Sequence, residues 1–360
     1  MSLNKATLLF LLFLLLISFS LSLVPGHNGD MPFYIAAVFS SQGATDENAL
    51  SAAKEVLHTE MSGEEAASHV NRLEHTDKNI LDFYRIKPLY VYSVVGLHKL
   101  GISFILSTLI PSLFSFFLIG WIVFSWSARV FDPLPALVFS ALLLLINPSI
   151  ILARLSSPDP LSNLFLFFCF YRIYFERKYL WTILLLLISL FIRMDNIVSV
   201  VILLTSMKYW PGKNSATRIP GMVYLVSLFL AGMICFCINF HFEKNFWWFT
   251  HVTYIQSFHA YGVQVLIYFL SVSESFIPAL LLLSLLALFQ RKLNIRKKSG
   301  LLLLSVGLIF FGRFLLFPSY EERFATSFYL AGFLILLELL LGERSLKPVS
   351  TYGSAGGSGN

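Results

Sequence analysis

Charge is scarce in this chain. Of its 360 residues only 13% are Asp, Glu, Lys or Arg, about half the share of an ordinary soluble domain. Intrinsic disorder and an ordinary cytosolic enzyme are both excluded by that composition. Cysteine is scarcer still. Cys169, Cys235 and Cys237 all stand in apolar runs, which suits buried thiols and excludes a disulfide framework. No segment repeats along the chain, which counts against a transporter built from two inverted halves. What fills the sequence is apolar: 57% hydrophobic and 16% aromatic, with 36 Phe. A soluble fold cannot bury that much apolar surface, so most of it must face lipid or pack between membrane helices. The formal net charge of +6 implies no nucleic acid, because its placement follows membrane topology.

Apolar stretches able to cross about 30 Å of hydrocarbon recur along nearly the whole chain. Spans are expected near Ala6–Val24, Ile102–Ser125, Leu134–Ala153, Leu161–Phe175 and Leu180–Ile192. Five more follow near Ile197–Met207, Met222–Phe240, Phe276–Phe289, Leu301–Phe317 and Thr326–Leu341, giving about ten passes. The fifth and sixth are short and share one run, broken at Arg193-Met194-Asp195. They read as a pair meeting below the far surface, with the charged tip inside a protein cavity. Lys5 and the run after it also fit a secretory leader. Ser20-Leu21-Ser22 is a poor cleavage site, however, and the expectation is a retained first helix.

Basic residues set the orientation. With both termini cytoplasmic, that side collects Lys5, Arg129, Arg172, Arg177, Lys178, Lys208, Lys213, Arg218 and the run from Arg291 to Lys298. The other side then carries a large first loop over residues 25–101 and a second, aromatic-rich one over residues 241–274. The first loop holds ten of the 20 acidic residues. Within it Asp46–Glu60 has helical apolar spacing, and Ser62-Gly63-Glu64-Glu65 is a capping box opening a second helix through Glu74. The chain is thus expected to be an all-α polytopic membrane protein, with one transmembrane domain over residues 1–345 and a flexible tail over 346–360.

Four segments carry charge where an apolar chain has to account for it. His27-Asn28-Gly29-Asp30-Met31-Pro32-Phe33-Tyr34 follows the first span. Asp30 there either caps the helix beginning at Met31 or serves as a half-desolvated base. Arg85-Ile86-Lys87-Pro88-Leu89-Tyr90 precedes the second span, and its cations suit either a lipid phosphate or an interfacial anchor. Ser156-Ser157-Pro158-Asp159-Pro160-Leu161-Ser162 joins the third and fourth spans, with Asp159 placed to cap the fourth helix. Arg193-Met194-Asp195 and Glu321-Glu322-Arg323-Phe324 complete the set. Arg193 needs an anion or water, supplied by Asp195 or by a substrate.

Taken together these segments resemble the GT-C superfamily of polytopic glycosyltransferases, near its protein O-mannosyltransferase and aminoarabinose-transferase branch. The matching pieces are Gly29–Tyr34, Lys87–Tyr90, Pro158–Ser162, Arg193 with Asp195, and Glu322–Phe324. Their order agrees from about Ala6 to Leu341. The family's doubled proline is single at Pro88, and the helical stretch Asp46–Glu74 has no counterpart. The resemblance implies transfer of a sugar from a polyprenyl-phosphate donor to a lipid, glycan or protein acceptor, on the extracytoplasmic face of a bacterial inner membrane. It implies Asp30 as general base and Asp159 as its support or the acceptor's. Lys87, Arg193 and Arg323 would hold the donor phosphate, and His27, Tyr34 and Tyr90 would contact the sugar or acceptor. A divalent cation, Mg or Mn, would sit between Asp30 and Asp159 if one takes part. The rival readings are a transporter and a lipid-linked glycan flippase or polymerase, which would place ionisable groups at mid-membrane or the large loop late in the chain.

Overall fold

The computed structural model describes residues 2–75, 80–175, 177–212, 216–242, 261–263, 265–267, 280, 283–284, 297–316 and 322–341. Among them the protein is helical, apart from a single bridge between Gly26 and Leu155. Most of the span expected at Phe276–Phe289, most of the aromatic stretch of the second loop, and the tail lie outside the described residues.

Helix α1 (Leu3–Ser22) buries Ala6, Phe10 and Leu14 and leaves Leu8, Leu12, Leu15 and Phe19 exposed. Its buried face packs on α7 (Phe104–Val130), where Phe10 stacks on Phe124 at 4.6 Å. Gly120 of α7 sits under Leu14 and Leu144, so any side chain there would collide with both. The exposed leucines are what a lipid-facing helix presents. Helix α13 (Gly221–Phe242) does the same with Leu225, Phe229 and Phe236.

Among the described residues four helices are long and apolar enough to cross a membrane: α1, α7, α13 and α14 (Lys298–Leu316). A fifth is α8 (Pro133–Leu144) with α9 (Asn147–Arg154), if the two count as one span. The expected continuous helix over Leu134–Ala153 is instead bent by 64°. Pro148 is the physical cause: it lacks an N–H for the helical ladder and its ring would clash with the carbonyl four residues back, so the chain opens to an extended Ile146 before α9 begins. The remaining core helices are shorter: α10 (Asp159–Tyr174), α11 (Tyr179–Ile192), α12 (Ile197–Lys208) and α15 (Thr326–Leu341). At 1.5 Å per residue, α11 and α12 reach only about 20 Å each, and they meet at a 3-10 turn over Met194–Asn196. α10 lies at the centre, against α7, α11 and α15.

The first loop is a packed unit with its own core. Helix α2 (Met31–Ser41) is at its centre, with the eight residues Met31–Val38 all buried. Around it stand α3 (Asp46–Glu60), α5 (Ile80–Arg85) and α6 (Pro88–Lys99), and α4 (Gly63–Glu74) lies against α3. Thr45 accepts the Asn48 N–H at 3.4 Å and so caps α3. Ser62 occupies the N-cap of α4, but the side-chain bond of a capping box is not made. Glu60 ties this unit to the membrane helices: its carboxylate accepts the N–H groups of Phe104 and Ile105 at 3.0 and 2.9 Å, satisfying the N-terminus of α7. The exit of α1 is held by Arg154, whose Nε donates to the Val24 carbonyl at 2.6 Å.

Candidate active site

Asp30 precedes α2 but does not cap it by its side chain. Its carboxylate turns the other way. Oδ1 accepts the Tyr84 hydroxyl at 3.0 Å, and Oδ2 accepts Asn28 Nδ2 at 3.2 Å and Arg323 Nη2 at 3.4 Å. Tyr84 reaches it from α5, 54 residues along the chain, and Arg323 from the far end of the sequence. With 27% of its side chain exposed, Asp30 is far more accessible than Asp159 at 4%.

Asp159 stands in the first turn of α10 behind Pro158, which takes the N-cap position. Its Oδ1 pairs with Arg193 and its Oδ2 accepts the Ser157 hydroxyl at 3.0 Å, with Arg323 Nε 3.6 Å away. Arg323 therefore bridges the two carboxylates. Asn163, one turn into α10, sets its position: Nδ2 donates to the Asp159 and Arg323 carbonyls at 2.9 and 2.7 Å, and Oδ1 accepts the Ser327 N–H. One buried carboxamide thus joins the start of α10 to the start of α15.

Each of the three nitrogens of Arg193 is committed to a carboxylate. Nε and Nη2 form a fork on Asp195 at 2.9 and 3.1 Å, and Nη1 goes to Asp159. Asp195 also accepts Arg313 Nη2 from α14 at 2.5 Å. The tip is fixed to α10 because Asn196 and Ser162 hydrogen-bond to each other. So the charges interrupting the Trp181–Met207 run lie in a protein interior, with Arg193 12% and Asp195 14% exposed.

Lys87 is 5% exposed and sits among rings, 3.4 Å from the Phe83 centroid, 4.9 Å from Tyr84 and 5.3 Å from Tyr34. Burial lowers its pKa to about 7, the Arg193 charge adds to that, and the carboxylates of Asp30, Asp159 and Asp195 oppose it. Tyr34 is buried edge-on to Tyr84 and Tyr90. Its hydroxyl is held well above the usual phenol range, by burial first and then by Asp30 and Asp159. Tyr90 gives its hydroxyl to the Thr108 carbonyl at 2.9 Å, so its polar end is engaged within the fold. His27 turns toward α4, where burial lowers its pKa and Glu65 opposes the shift.

Two openings bear on these groups, and one of them is lined by Asp30 and Arg323. The first is a polar cleft of about 520 Å³ lined by Asn28, Gly29, Asp30, Arg72, Ile151, Leu155 and Arg323. Of the residues singled out from the sequence, Asp30 and Arg323 line it, and Lys87, Arg193, Asp159, Tyr34, Tyr90 and His27 do not. The second is an apolar groove of similar volume between α6, α7 and α10, lined by Gly96, Leu97, Leu100, Pro111, Phe114 and Leu161 among others. Leu161 shares the first turn of α10 with Asp159. Sequence reasoning missed Tyr84, Arg72, Asn28 and Asn163. Asn28 lay inside a quoted motif, but nothing in one sequence marks an asparagine or a surface arginine as part of a site.

Among the described residues no three His, Cys, Asp or Glu side chains converge as a metal-binding group. The carboxylate pair that a divalent ion would bridge, Asp30 and Asp159, is bridged by the Arg323 guanidinium. As arranged, this donor set does not fit a metal. Comparison of the chain with protein-family models, curated proteins and solved structures found no match.

Proposed function

We propose that the protein is a membrane glycosyltransferase of GT-C type, moving a sugar from a polyprenyl-phosphate donor to an acceptor hydroxyl at the cleft beside Asp30. The observation that carries this reading is the gathering of Asp30, Asp159, Arg193 and Arg323, residues up to 293 positions apart, into one hydrogen-bonded and ion-paired chain whose Asp30 and Arg323 line the polar cleft. An isoprenoid needs an apolar groove, of the kind found between α6, α7 and α10, and its phosphate needs a cation.

In this reaction the acceptor oxygen attacks the anomeric carbon as the bond from that carbon to the phosphate oxygen breaks. The bonding pair leaves with the phosphate, and the acceptor proton passes to the Asp30 carboxylate. Tyr84 and Asn28 aim that carboxylate. Arg323 meets the charge developing on the phosphate, and Asp159 keeps Arg323 in position. Arg193 supplies positive charge from behind, and Lys87 adds to it when protonated. On this reading α10, α11, α12 and α15 also traverse the membrane and, with the stretch at Phe276–Phe289, make about ten passes. The cleft then faces away from the cytoplasm of a bacterial cell, with both termini inside.

Asp30→Asn tests the reading. Removing a general base costs about 10²–10⁴-fold in rate, so membranes carrying the inserted variant should show transfer from a polyprenyl-phosphate sugar reduced by at least that lower factor. Wild-type turnover in those membranes would remove Asp30 from the chemistry.

A further inference from the structure

Lys178, Lys208 and Arg218 take no part in the site described above. Helix α11 runs from Tyr179 toward the break at Arg193, and α12 returns from it to Lys208. The start of one and the end of the other therefore lie about 20 Å from that break. Three connections meet there, between helices α11, α12 and α13 that pack on one another. The Tyr179 N–H donates to the Ala216 carbonyl at 3.1 Å, and the Ile219 N–H to the Met207 carbonyl at 3.3 Å. These bonds bring Lys178, Lys208 and Arg218, each next in sequence to a bonded residue, onto one platform. A methyl group on Gly221 would stand 3.1 Å from the Lys208 Nζ, so that ammonium lies over the first residue of α13. Among the described residues no carboxylate pairs with any of the three cations, and the sequence has no acidic residue between Asp195 and Glu243. Beside each cation stands an exposed apolar or aromatic side chain. Leu180 and Trp181 follow Lys178, Tyr209 follows Lys208 and Met222 follows Arg218, all between 60% and 74% exposed. Met222 opens the lipid-facing side of α13 that continues through Leu225 and Phe229. Membrane topology accounts for cations at this end. It does not require three of them, from separate connections, to converge beside exposed aromatic rings.

We propose that this platform is a binding site for an anionic phospholipid, its headgroup phosphate held by Lys178, Lys208 and Arg218 and its acyl chains lying against Trp181 and Met222. A soluble phosphate or an acidic protein would engage the cations and leave the exposed apolar side chains without a role. A zwitterionic lipid would engage those side chains and bring a cation of its own against three others. An anionic lipid satisfies both halves of the platform: the Arg218 guanidinium offers a phosphate its planar fork, the two ammonium groups add point charge, and aromatic rings at this depth suit the headgroup layer. The site is separate from the cleft beside Asp30, and it does not depend on the glycosyl-transfer reading. Lys178 and Arg218 are exposed and Lys208 is half-buried, so replacing them leaves the helix core intact.

The test is native mass spectrometry of the full-length protein in detergent, titrated with dioleoyl phosphatidylglycerol, dioleoyl phosphatidylcholine, glycerol phosphate and poly-glutamate. A cation at a membrane surface corresponds to about fivefold in affinity for an anionic lipid. Lys208→Gln and Arg218→Gln should each weaken the first phosphatidylglycerol bound by about that factor, and the triple variant that adds Lys178→Gln by about a hundredfold. Phosphatidylcholine binding should not move in any of them. Lys54→Gln, which removes a cation from α3 in the first loop, should bind phosphatidylglycerol as wild type does. Equal phosphatidylglycerol affinity of wild type and the triple variant would overturn the proposal. An equal loss from Lys54→Gln would overturn it too, by reducing the effect to overall charge. Glycerol phosphate binding as tightly as the lipid would make the platform a soluble-anion site, and poly-glutamate displacing the lipid would make it a protein-docking face; either result also overturns the proposal.

Discussion

Two groups of charges, a few side chains apart, differ in what is left open. In the inner group, Arg193, Arg313 and Asp195 close on one another and on Asp159, with exposures from 4% to 14%. In the outer group Asp30 and Arg323 meet at 3.4 Å and both line a cleft. A buried guanidinium with all three of its nitrogens engaged is a structural element: it holds helices together, and turning it toward a ligand would first break its own bonds. A charge with one face on a cavity can exchange partners during a reaction. The contrast separates the residue that the sequence makes conspicuous, Arg193 in the middle of an apolar run, from those with access to a substrate.

Substitutions should break this contrast in opposite directions. The largest expected effect on stability is at Asp195. Its replacement by Asn strands Arg193 and Arg313 beside each other with only Asp159 to balance them, and losing one partner of a buried pair costs about 3–5 kcal/mol. Thermal unfolding in detergent should show a clear drop for Asp195→Asn and little change for Asp30→Asn. Equal melting of the two would abolish the distinction between the groups.

A smaller effect, opposite in sign, is expected at Lys87. Its pKa lies at about 7 in the fold, against about 10.4 for an unperturbed lysine. Between these values the unfolded chain binds a proton that the folded chain does not, so stability rises with pH across that window. Below pH 7 the lysine is charged in both states and its burial penalty is fully present. Lys87→Met should therefore melt above wild type at pH 6, by on the order of a few kcal/mol, and the gap should shrink toward pH 10. A gap independent of pH would mean that the ammonium is solvated or paired, contrary to its place among Phe83, Tyr84 and Tyr34.

Local signals in the sequence were read at the right places. Apolar spacing fixes Asp46–Glu60, the Arg193-Met194-Asp195 break separates α11 from α12, and Thr326–Leu341 forms as expected. The bend between α8 and α9 was less legible, because Asn147-Pro148 sits in a run whose hydropathy hardly falters. At Asp30 and Asp159 capping and chemistry are indistinguishable in sequence. Only coordinates reveal that neither carboxylate is used as a side-chain cap. Partners such as Tyr84, Asn163 and Arg72 were illegible for a plainer reason. Each acts across a contact between helices remote in sequence, and one amino-acid sequence read alone carries no record of such contacts.

The central claim is that the open group, not the closed one, receives the donor. The most direct measurement is an experimental structure of the full-length protein in nanodiscs with bound undecaprenyl phosphate. The account predicts headgroup density against Arg323 in the cleft beside Asp30, with the isoprenoid running into the groove at Gly96, Pro111 and Leu161 and the Arg193–Asp195 pair intact. Density at Arg193 with that pair broken, or a headgroup elsewhere on the molecule, would contradict it.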